Sequence, residues 1–204
     1  MNTNSKSTEA AAAAFNIVAI VSSAGGLAAL KQLLSGLSAD FPVPIVVVQH
    51  LSPEHRSMAA EILARKTPLS VKQAQENDVL ATGTIYIAPP NHHLIANPDK
   101  TLSLTKTELV HFVRPSADVL FESVAESYGK SAIAVVLTGT GSDGATGIQT
   151  VKAAGGIVVV QDLETAEFSG MPSAAIQTGA VDYTLPLSDI ASALTRLVKT
   201  GTAE

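Results

Sequence analysis

Residues 16–37 read NIVAIVSSAGGLAALKQLLSGL, and this stretch decides the fold. The run from Asn16 to Val21 is rich in Val and Ile, as is typical of a buried strand. Small residues follow, and leucines then recur at helical spacing at positions 27, 30, 33, 34 and 37. The stretch therefore predicts a strand, a tight turn and a helix.

The same alternation of strand and helix continues to the C-terminal end of the sequence. The pattern predicts strands over 44–49, 84–88, 93–96, 101–105, 132–137, 157–160 and 181–184, and helices up to about 66 and over 115–128, 145–154, 171–178 and 188–199. Uninterrupted apolar strands such as Pro44–Gln49 are buried on both faces, which favours a parallel sheet covered by helices. We expect a doubly wound α/β fold, mainly parallel, with an antiparallel edge hairpin over 93–105.

Length and composition limit the classes of protein to consider. The 204 residues fit one domain, which we place at 15–204 after a flexible tail or linker at 1–14. No apolar run approaches the roughly 20 residues of a spanning helix, and no export signal is recognisable, so we expect a cytoplasmic protein without membrane insertion. A net charge of -5 without a basic stripe argues against nucleic acid. Because the sequence has no cysteine, serine is the candidate nucleophile.

Two of the predicted strands end in residues that suit nucleophilic catalysis. Ser22 and Ser23 follow the first strand, where ligands of an open parallel sheet bind. His50 follows the second strand and could accept a proton from a serine near neutral pH. Each has a structural alternative, as an N-cap serine or as a loop histidine. His55, His92, His93 and His111 are the other candidates for the base. We expect no metal site, since the side chains of the adjacent pair His92 and His93 would point to opposite faces of a strand.

A glycine-rich loop, LTGTGSDG at 137–144, follows a third predicted strand. Asp143 could orient His50 and stabilise its imidazolium, while N–H groups around Thr140 help to bind an oxyanion. Asp143 could equally be the N-cap of the next helix. The spacing of Gly139, Gly141 and Gly144, with Asp162 after the next strand, also matches a dinucleotide-binding fingerprint. The residues alone leave these interpretations open.

Taken together, the segments resemble the catalytic domain of the chemotaxis-receptor methylesterases, the CheB type, from about Phe15 to Leu197. The resemblance is carried, in order, by SSAGGL at 22–27, VQHL at 48–51, IAPPNHHL at 87–94, RPSADVLF at 114–121, LTGTGSDG at 137–144 and GMP at 170–172. It implies a Ser23, His50 and Asp143 triad and the hydrolysis of glutamyl methyl esters on cytoplasmic receptor helices, with deamidation of glutamine as a second activity. No cofactor is implied.

The resemblance also suggests roles for residues around the triad. The oxyanion would be held by the backbone N–H groups of Ala24 and Thr140, and Arg114 and Ser116 would line the approach of an acidic receptor helix. The sequence departs from the family at Val21 and Ser22, where glycine and alanine are common, and at Thr140, where methionine is frequent. The family's receiver domain is absent from these residues, so the resemblance implies a stand-alone esterase or the esterase segment of a fusion.

A rival of a different class is a non-catalytic domain of the same fold that binds receptors and carries a misplaced serine. Loss of activity with retained receptor binding would support that rival. The dinucleotide-binding protein is a second alternative, which a titration with a nicotinamide cofactor would test.

Overall fold

Seven strands form one parallel sheet in the computed structural model, which describes residues 14–50 and 57–203. The strands are β1 (Ile17–Ser22), β2 (Ile45–Gln49), β3 (Ser70–Gln73), β4 (Thr84–Ile87), β5 (His93–Ala96), β6 (Leu102–Thr105), β7 (Ala132–Val136), β8 (Ile157–Gln161) and β9 (Tyr183–Leu185). The helices are α1 (Gly26–Ser35), α2 (Ala59–Ala64), α3 (Ala117–Tyr128), α4 (Ala145–Ala153), α5 (Gly170–Gln177) and α6 (Leu187–Thr200). The tail predicted over 1–14 lies outside the described residues, except for Ala14.

The order of the strands places β1 at the centre of the sheet. The order is β3-β4-β2-β1-β7-β8-β9, so the chain places β2, β3 and β4 on one side of β1 and later crosses to its other side with β7. The gap between β1 and β7 is therefore the point at which the strand order reverses. Loops at the carboxyl ends of the strands separate there and leave a crevice, which is where open α/β sheets bind their ligands.

Two apolar cores cover the two faces of the sheet. Alternate residues of β1 point to opposite faces, so Val18 and Ile20 pack in one core with α1 and α6, while Ala19 and Val21 pack in the other with α3, α4 and α5. All four side chains are fully buried. This double burial explains why the central strands read as continuous apolar runs in the sequence.

The doubly wound α/β fold is confirmed, and two details differ from the sequence-based expectation. The antiparallel hairpin β5-β6 is present, but it forms its own two-stranded sheet rather than an edge of the main sheet. Ser123 and Ser127 of α3 bond the backbone N–H and C=O of Ala96, which attaches the hairpin to that helix. Strand β3, with its polar sequence SVKQ, was not expected. No helix in residues 14–50 and 57–203 has both the length and the apolar character to cross a bilayer.

Candidate active site

Ser23 and His50 lie side by side because they follow neighbouring strands in register. Ser22 of β1 pairs with Gln49 of β2, and the N–H of His50 donates to the carbonyl of Ser22 at 3.0 Å. Adjacent parallel strands are about 4.8 Å apart. Since side chains alternate along a strand, Ser23 and His50 follow Val21 and Val48 toward the face covered by α3 and α4. The ends of β1 and β2 thus bring the backbones of Ser23 and His50 to neighbouring positions at one edge of the sheet.

The side chain of Gln49 ties these two strand ends together. Its amide nitrogen donates to the carbonyl oxygens of Ser23 at 2.8 Å and His50 at 3.1 Å, while its amide oxygen accepts a hydrogen bond from the Ser22 hydroxyl at 2.5 Å. Both side chains in this bridge are buried. Gln49 therefore fixes the backbone of the nucleophile and base candidates relative to each other. The motif quoted for the resemblance contained Gln49, but nothing in its sequence position indicated this bridging contact.

Asp143 receives four hydrogen bonds, and one of them comes from His50. The ring atom Nε2 of His50 lies 2.8 Å from Asp143 Oδ2. The hydroxyl of Ser116 donates to Asp143 at 2.8 Å, and the backbone N–H groups of Ala117 and Asp118 donate at 2.6 and 3.1 Å. The carboxylate thus lies at the N-terminus of α3, where the helix dipole favours negative charge.

The electrostatic state of Asp143 follows from these contacts. Its side chain is only 5% exposed, and burial by itself would raise its pKa. The hydrogen bonds from His50, Ala117, Ser116 and Asp118 outweigh that effect and lower the pKa below the ordinary value. Asp143 is therefore an ionised carboxylate at neutral pH, as a group that stabilises an imidazolium must be.

The alternative in which Asp143 caps the following helix does not match the structure. The N-cap of α4 is Gly144, at φ 100° and without a side-chain cap. Asp143 instead satisfies the first N–H groups of α3, a helix that begins 26 residues earlier in the chain. Local sequence could not reveal this partner, because it depends on how α3 and α4 pack together.

The imidazole of His50 leaves Nδ1 for a second partner, since Nε2 binds Asp143. Ser23 is half-buried, and no hydrogen bond joins its hydroxyl to His50 among the described residues. The arrangement can accept a proton at Nδ1 and hold the resulting cation through Asp143.

Two backbone N–H groups near Ser23 are available to stabilise negative charge. Within the described part of the chain, neither Ala24 nor Thr140 donates a backbone hydrogen bond. The loop that carries Thr140 is held close to Ser23, because the N–H of Ser23 donates to the carbonyl of Thr138 at 3.0 Å. The N–H and C=O of Gly139 bond to Phe168 and Met171, which fixes the loop on its other side. A Cβ atom at Gly139 would lie 2.9 Å from Ser23 Cβ and would overlap Met171 Sδ. Glycine is therefore required for this close approach.

Ser116 is too deeply buried to line the approach of a substrate, as the resemblance suggested, whereas Arg114 lines the same cleft as His50. Ser116 is fully buried and donates its hydroxyl to Asp143, so it positions the carboxylate and does not line an approach for substrate. Arg114 is half-buried, and its guanidinium donates to the side chain of Asn91 and to the carbonyls of Lys106 and Thr107. It braces the loop before α3.

His93 contributes to this arrangement without touching the triad. Its Nδ1 accepts the N–H of Ser116 at 3.1 Å, and its Nε2 lies 3.0 Å from the carbonyl of Glu108. Because the backbone N–H of Ser116 can only donate and the carbonyl of Glu108 can only accept, Nδ1 must be the acceptor and Nε2 must carry the proton. His93 is therefore a buried residue that positions the start of α3.

The ligand atoms of His111, Asp118 and Asp143 lie within 4.8 Å of one another, which is close enough to be considered for a metal ion. The surroundings favour a hydrogen-bonded network instead. Asp118 accepts the N–H of Gly147 at 2.7 Å and faces His111 Nε2 at 3.0 Å. Burial raises the pKa of Asp118, and the nearby Asp143 adds to that rise, so this carboxyl holds its proton more firmly than usual.

The residues that suggested a dinucleotide have structural explanations. The carboxylate of Asp162 accepts the N–H of Thr165 at 2.8 Å, within its own turn. Gly139 allows the close approach of its loop to Ser23 and Met171 described above. Of the competing histidines, His92 bonds the carbonyl of Pro90, and His55 lies outside the described residues.

Comparisons with known proteins agree on one family. The family described as CheB methylesterase matches residues 18–194. A putative protein-glutamate methylesterase/protein-glutamine glutaminase of Leptospira interrogans is 43% identical over 90% of this chain and 95% of its own length. A protein-glutamate methylesterase/protein-glutamine glutaminase of Bdellovibrio bacteriovorus is 42% identical over 97% of this chain, which spans 56% of that relative. The crystal structure of the Thermotoga maritima CheB methylesterase catalytic domain aligns with a TM-score of 0.87 and 40% identity, covering 90% of this chain and 99% of that one.

Proposed function

Because this chain belongs to the CheB methylesterase family, we propose that it is a serine-type esterase that hydrolyses glutamyl methyl esters on chemotaxis receptors through Ser23, His50 and Asp143. The proposed substrate is the cytoplasmic part of a methylated receptor, and the products are glutamate and methanol. Family membership also decides against the dinucleotide-binding interpretation of the glycine-rich loop.

In the first half of the reaction, Ser23 Oγ attacks the ester carbonyl and His50 Nδ1 takes the hydroxyl proton. Asp143 stabilises the imidazolium through its bond to Nε2. The negative charge that develops on the carbonyl oxygen is met by the N–H groups of Ala24 and Thr140. The proton then passes from His50 to the methoxy oxygen, methanol leaves, and the glutamyl group remains bound to Ser23 as an ester.

In the second half, a water molecule takes the place of methanol. His50 removes a proton from the water, the hydroxide adds to the acyl carbon, and the proton returns to Ser23 Oγ as the glutamate leaves. A glutamine side chain would give the same acyl intermediate with ammonia as the leaving group, which is why one site could support both reactions.

The observation that carries this proposal is the anchoring of His50 by Asp143. A carboxylate that accepts three donors besides the imidazole is fixed in position, and it fixes the ring in turn. The register of β1 and β2, in which Ser22 pairs with Gln49, supports the pairing of Ser23 with His50, since each directly follows one of these two residues. A domain that only bound receptors would have no need for an ionised carboxylate behind a histidine in this crevice.

The direct test is methanol release from methylated receptor membranes by the unaltered chain and by His50→Gln. Glutamine can still donate to Asp143 but cannot accept the serine proton, so activity should fall by on the order of 10²–10⁴-fold. The matched control is His92→Gln, which changes a nearby histidine that bonds only Pro90 among the described residues, and it should retain activity within about twofold. Release by His50→Gln at the unaltered rate would refute the assignment of the base. Receptor binding without any methanol release by the folded, unaltered chain would support the non-catalytic rival.

A further inference from the structure

The segment before α3 contains a tight turn with a conformation that side chains rarely adopt. Val110 and Val113 exchange backbone hydrogen bonds of 3.2 and 2.9 Å, so only two residues connect them. Those residues, His111 and Phe112, have φ of 49° and 62°. The left-handed region costs a residue with a side chain about 1–2 kcal/mol, and Gly or Asn normally occupies it. A histidine and a phenylalanine are held there by other contacts.

The turn is anchored on both sides. His111 Nε2 lies 3.0 Å from Asp118 Oδ2, within α3 and next to the hydrogen-bonding network of Asp143. Arg114 holds the other end through Asn91 and through the carbonyls that precede the turn. The backbone is therefore fixed while the side chain at its tip is left free.

The side chain at the tip is Phe112, and it is 95% exposed. It lines the same cleft as His50, and so does the half-exposed Leu109. Single exposed apolar residues are ordinary on a protein surface, but this one is held on a strained and anchored backbone at the entrance to the site. Arg114 lines the same cleft, and its hydrogen bonds within the described residues go to neutral groups of the protein, so the cleft presents both the apolar ring of Phe112 and the positive charge of Arg114.

We propose that Phe112 is a substrate-binding residue that packs against an apolar side chain next to the esterified glutamate of the protein substrate. This inference rests on the proposed function, because the occupant of the cleft beside His50 is then the methylated protein. Phe112 would distinguish an ester on a protein from the same bond in a small molecule, since only the protein reaches beyond the cleft to the turn.

The test compares Phe112→Asn with the unaltered chain on two substrates, methylated receptor membranes and p-nitrophenyl acetate. Asparagine suits the left-handed backbone, so the turn is retained while the ring is removed. Losing the burial of a phenylalanine should lower kcat/KM for the receptor by about tenfold or more, mainly through KM. The change on the small ester should be much smaller. Phe112→Leu, which keeps an apolar side chain, should recover most of the loss.

The matched control is Val79→Ala, which alters an exposed apolar residue that does not line the cleft. It should leave both activities unchanged. Equal losses on the two substrates, or no loss on the receptor, would overturn the role of Phe112 while leaving the esterase intact. If the unaltered chain hydrolyses the small ester but releases no methanol from the receptor, the proposed function itself fails, and this inference fails with it.

Discussion

Replacing Asp143 by asparagine tests whether one ionised carboxylate supports both the site and the fold. Four donors point at this side chain: His50, the hydroxyl of Ser116, and the N–H groups of Ala117 and Asp118. An amide offers one oxygen with two lone pairs and a nitrogen that only donates. At least two of the four donors would therefore face an NH₂ group and lose their acceptor.

The size of the effect follows from that count. A buried donor left without an acceptor costs about 1–3 kcal/mol, so two should lower the free energy of unfolding by about 2–6 kcal/mol. The imidazolium also loses its counter-charge, and kcat should fall by on the order of 10⁴-fold, as for the equivalent substitution in a serine protease triad. Chemical denaturation and methanol release measure the two effects separately.

The matched control is Asp118→Asn, a substitution of another buried aspartate in the same network. An asparagine there can accept the Gly147 N–H with its oxygen. Its nitrogen can donate to His111 Nε2 once the imidazole proton moves to Nδ1, so both bonds survive. Burial raises the pKa of Asp118, which means that its charged form is costly to bury. Replacing it by a neutral asparagine removes that cost. We expect a stability loss below about 1 kcal/mol. Equal losses for the two variants would refute the reasoning.

The stability difference between the unaltered chain and Asp143→Asn depends on pH in a defined way. The pKa of Asp143 is lower in the folded state than its ordinary value of 3.8, so its contribution to stability is complete above pH 3.8 and is lost as the pH falls through the lowered value. The difference in unfolding free energy between the unaltered chain and Asp143→Asn should therefore be constant near neutrality and narrow in acid. A difference that grows as the pH falls would contradict the ionised carboxylate.

Two further substitutions test the packing behind the triad. Gln49→Ala removes the bridge between the carbonyls of Ser23 and His50, so we expect kcat to fall about tenfold and the free energy of unfolding to fall by about 1–3 kcal/mol. The control Gln32→Ala, on the exposed side of α1, should change neither kcat nor stability. Steady-state kinetics and chemical denaturation measure these two quantities for each variant. Gly139→Ala adds a methyl group against Ser23 and Met171, so we expect the free energy of unfolding to fall by about 1–3 kcal/mol and most of the esterase activity to be lost. An unchanged rate of methanol release would show instead that the loop can move away from Ser23.

The central part of the fold could be predicted because its physical signals are local. The continuous apolar run of β1 and the leucine spacing of α1 are read directly from the sequence, and they define a strand, turn and helix. The rule that ligands bind at the carboxyl ends of parallel strands then singles out the polar residues that follow the strands, and the resemblance to the CheB-type methylesterases selects Ser23, His50 and Asp143 among them. Their roles as nucleophile, base and orienting acid remain predictions that the experiments above address.

What could not be predicted depends on contacts between distant segments. Asp143 was considered as a cap for the helix that follows it, whereas its partners are His50 and the start of α3. Ser116 was assigned to the substrate approach, although it is buried behind the carboxylate. The hairpin β5-β6 was expected at the sheet edge, but hydrogen bonds to α3 hold it elsewhere. In each case the backbone pattern was visible in the sequence and the partner was not.

The most direct measurement for the whole account is methanol release from methylated receptor membranes by Ser23→Ala and Ser22→Ala, compared with the unaltered chain. The two serines are adjacent, but Ser22 is buried and bonded to Gln49, while Ser23 is only half-buried and follows the end of β1. We expect Ser23→Ala to abolish release and Ser22→Ala to retain most of it, with a stability loss of about 1–2 kcal/mol from the broken hydrogen bond. Release that persists in Ser23→Ala, or that disappears only in Ser22→Ala, would contradict the assignment of Ser23 as the nucleophile.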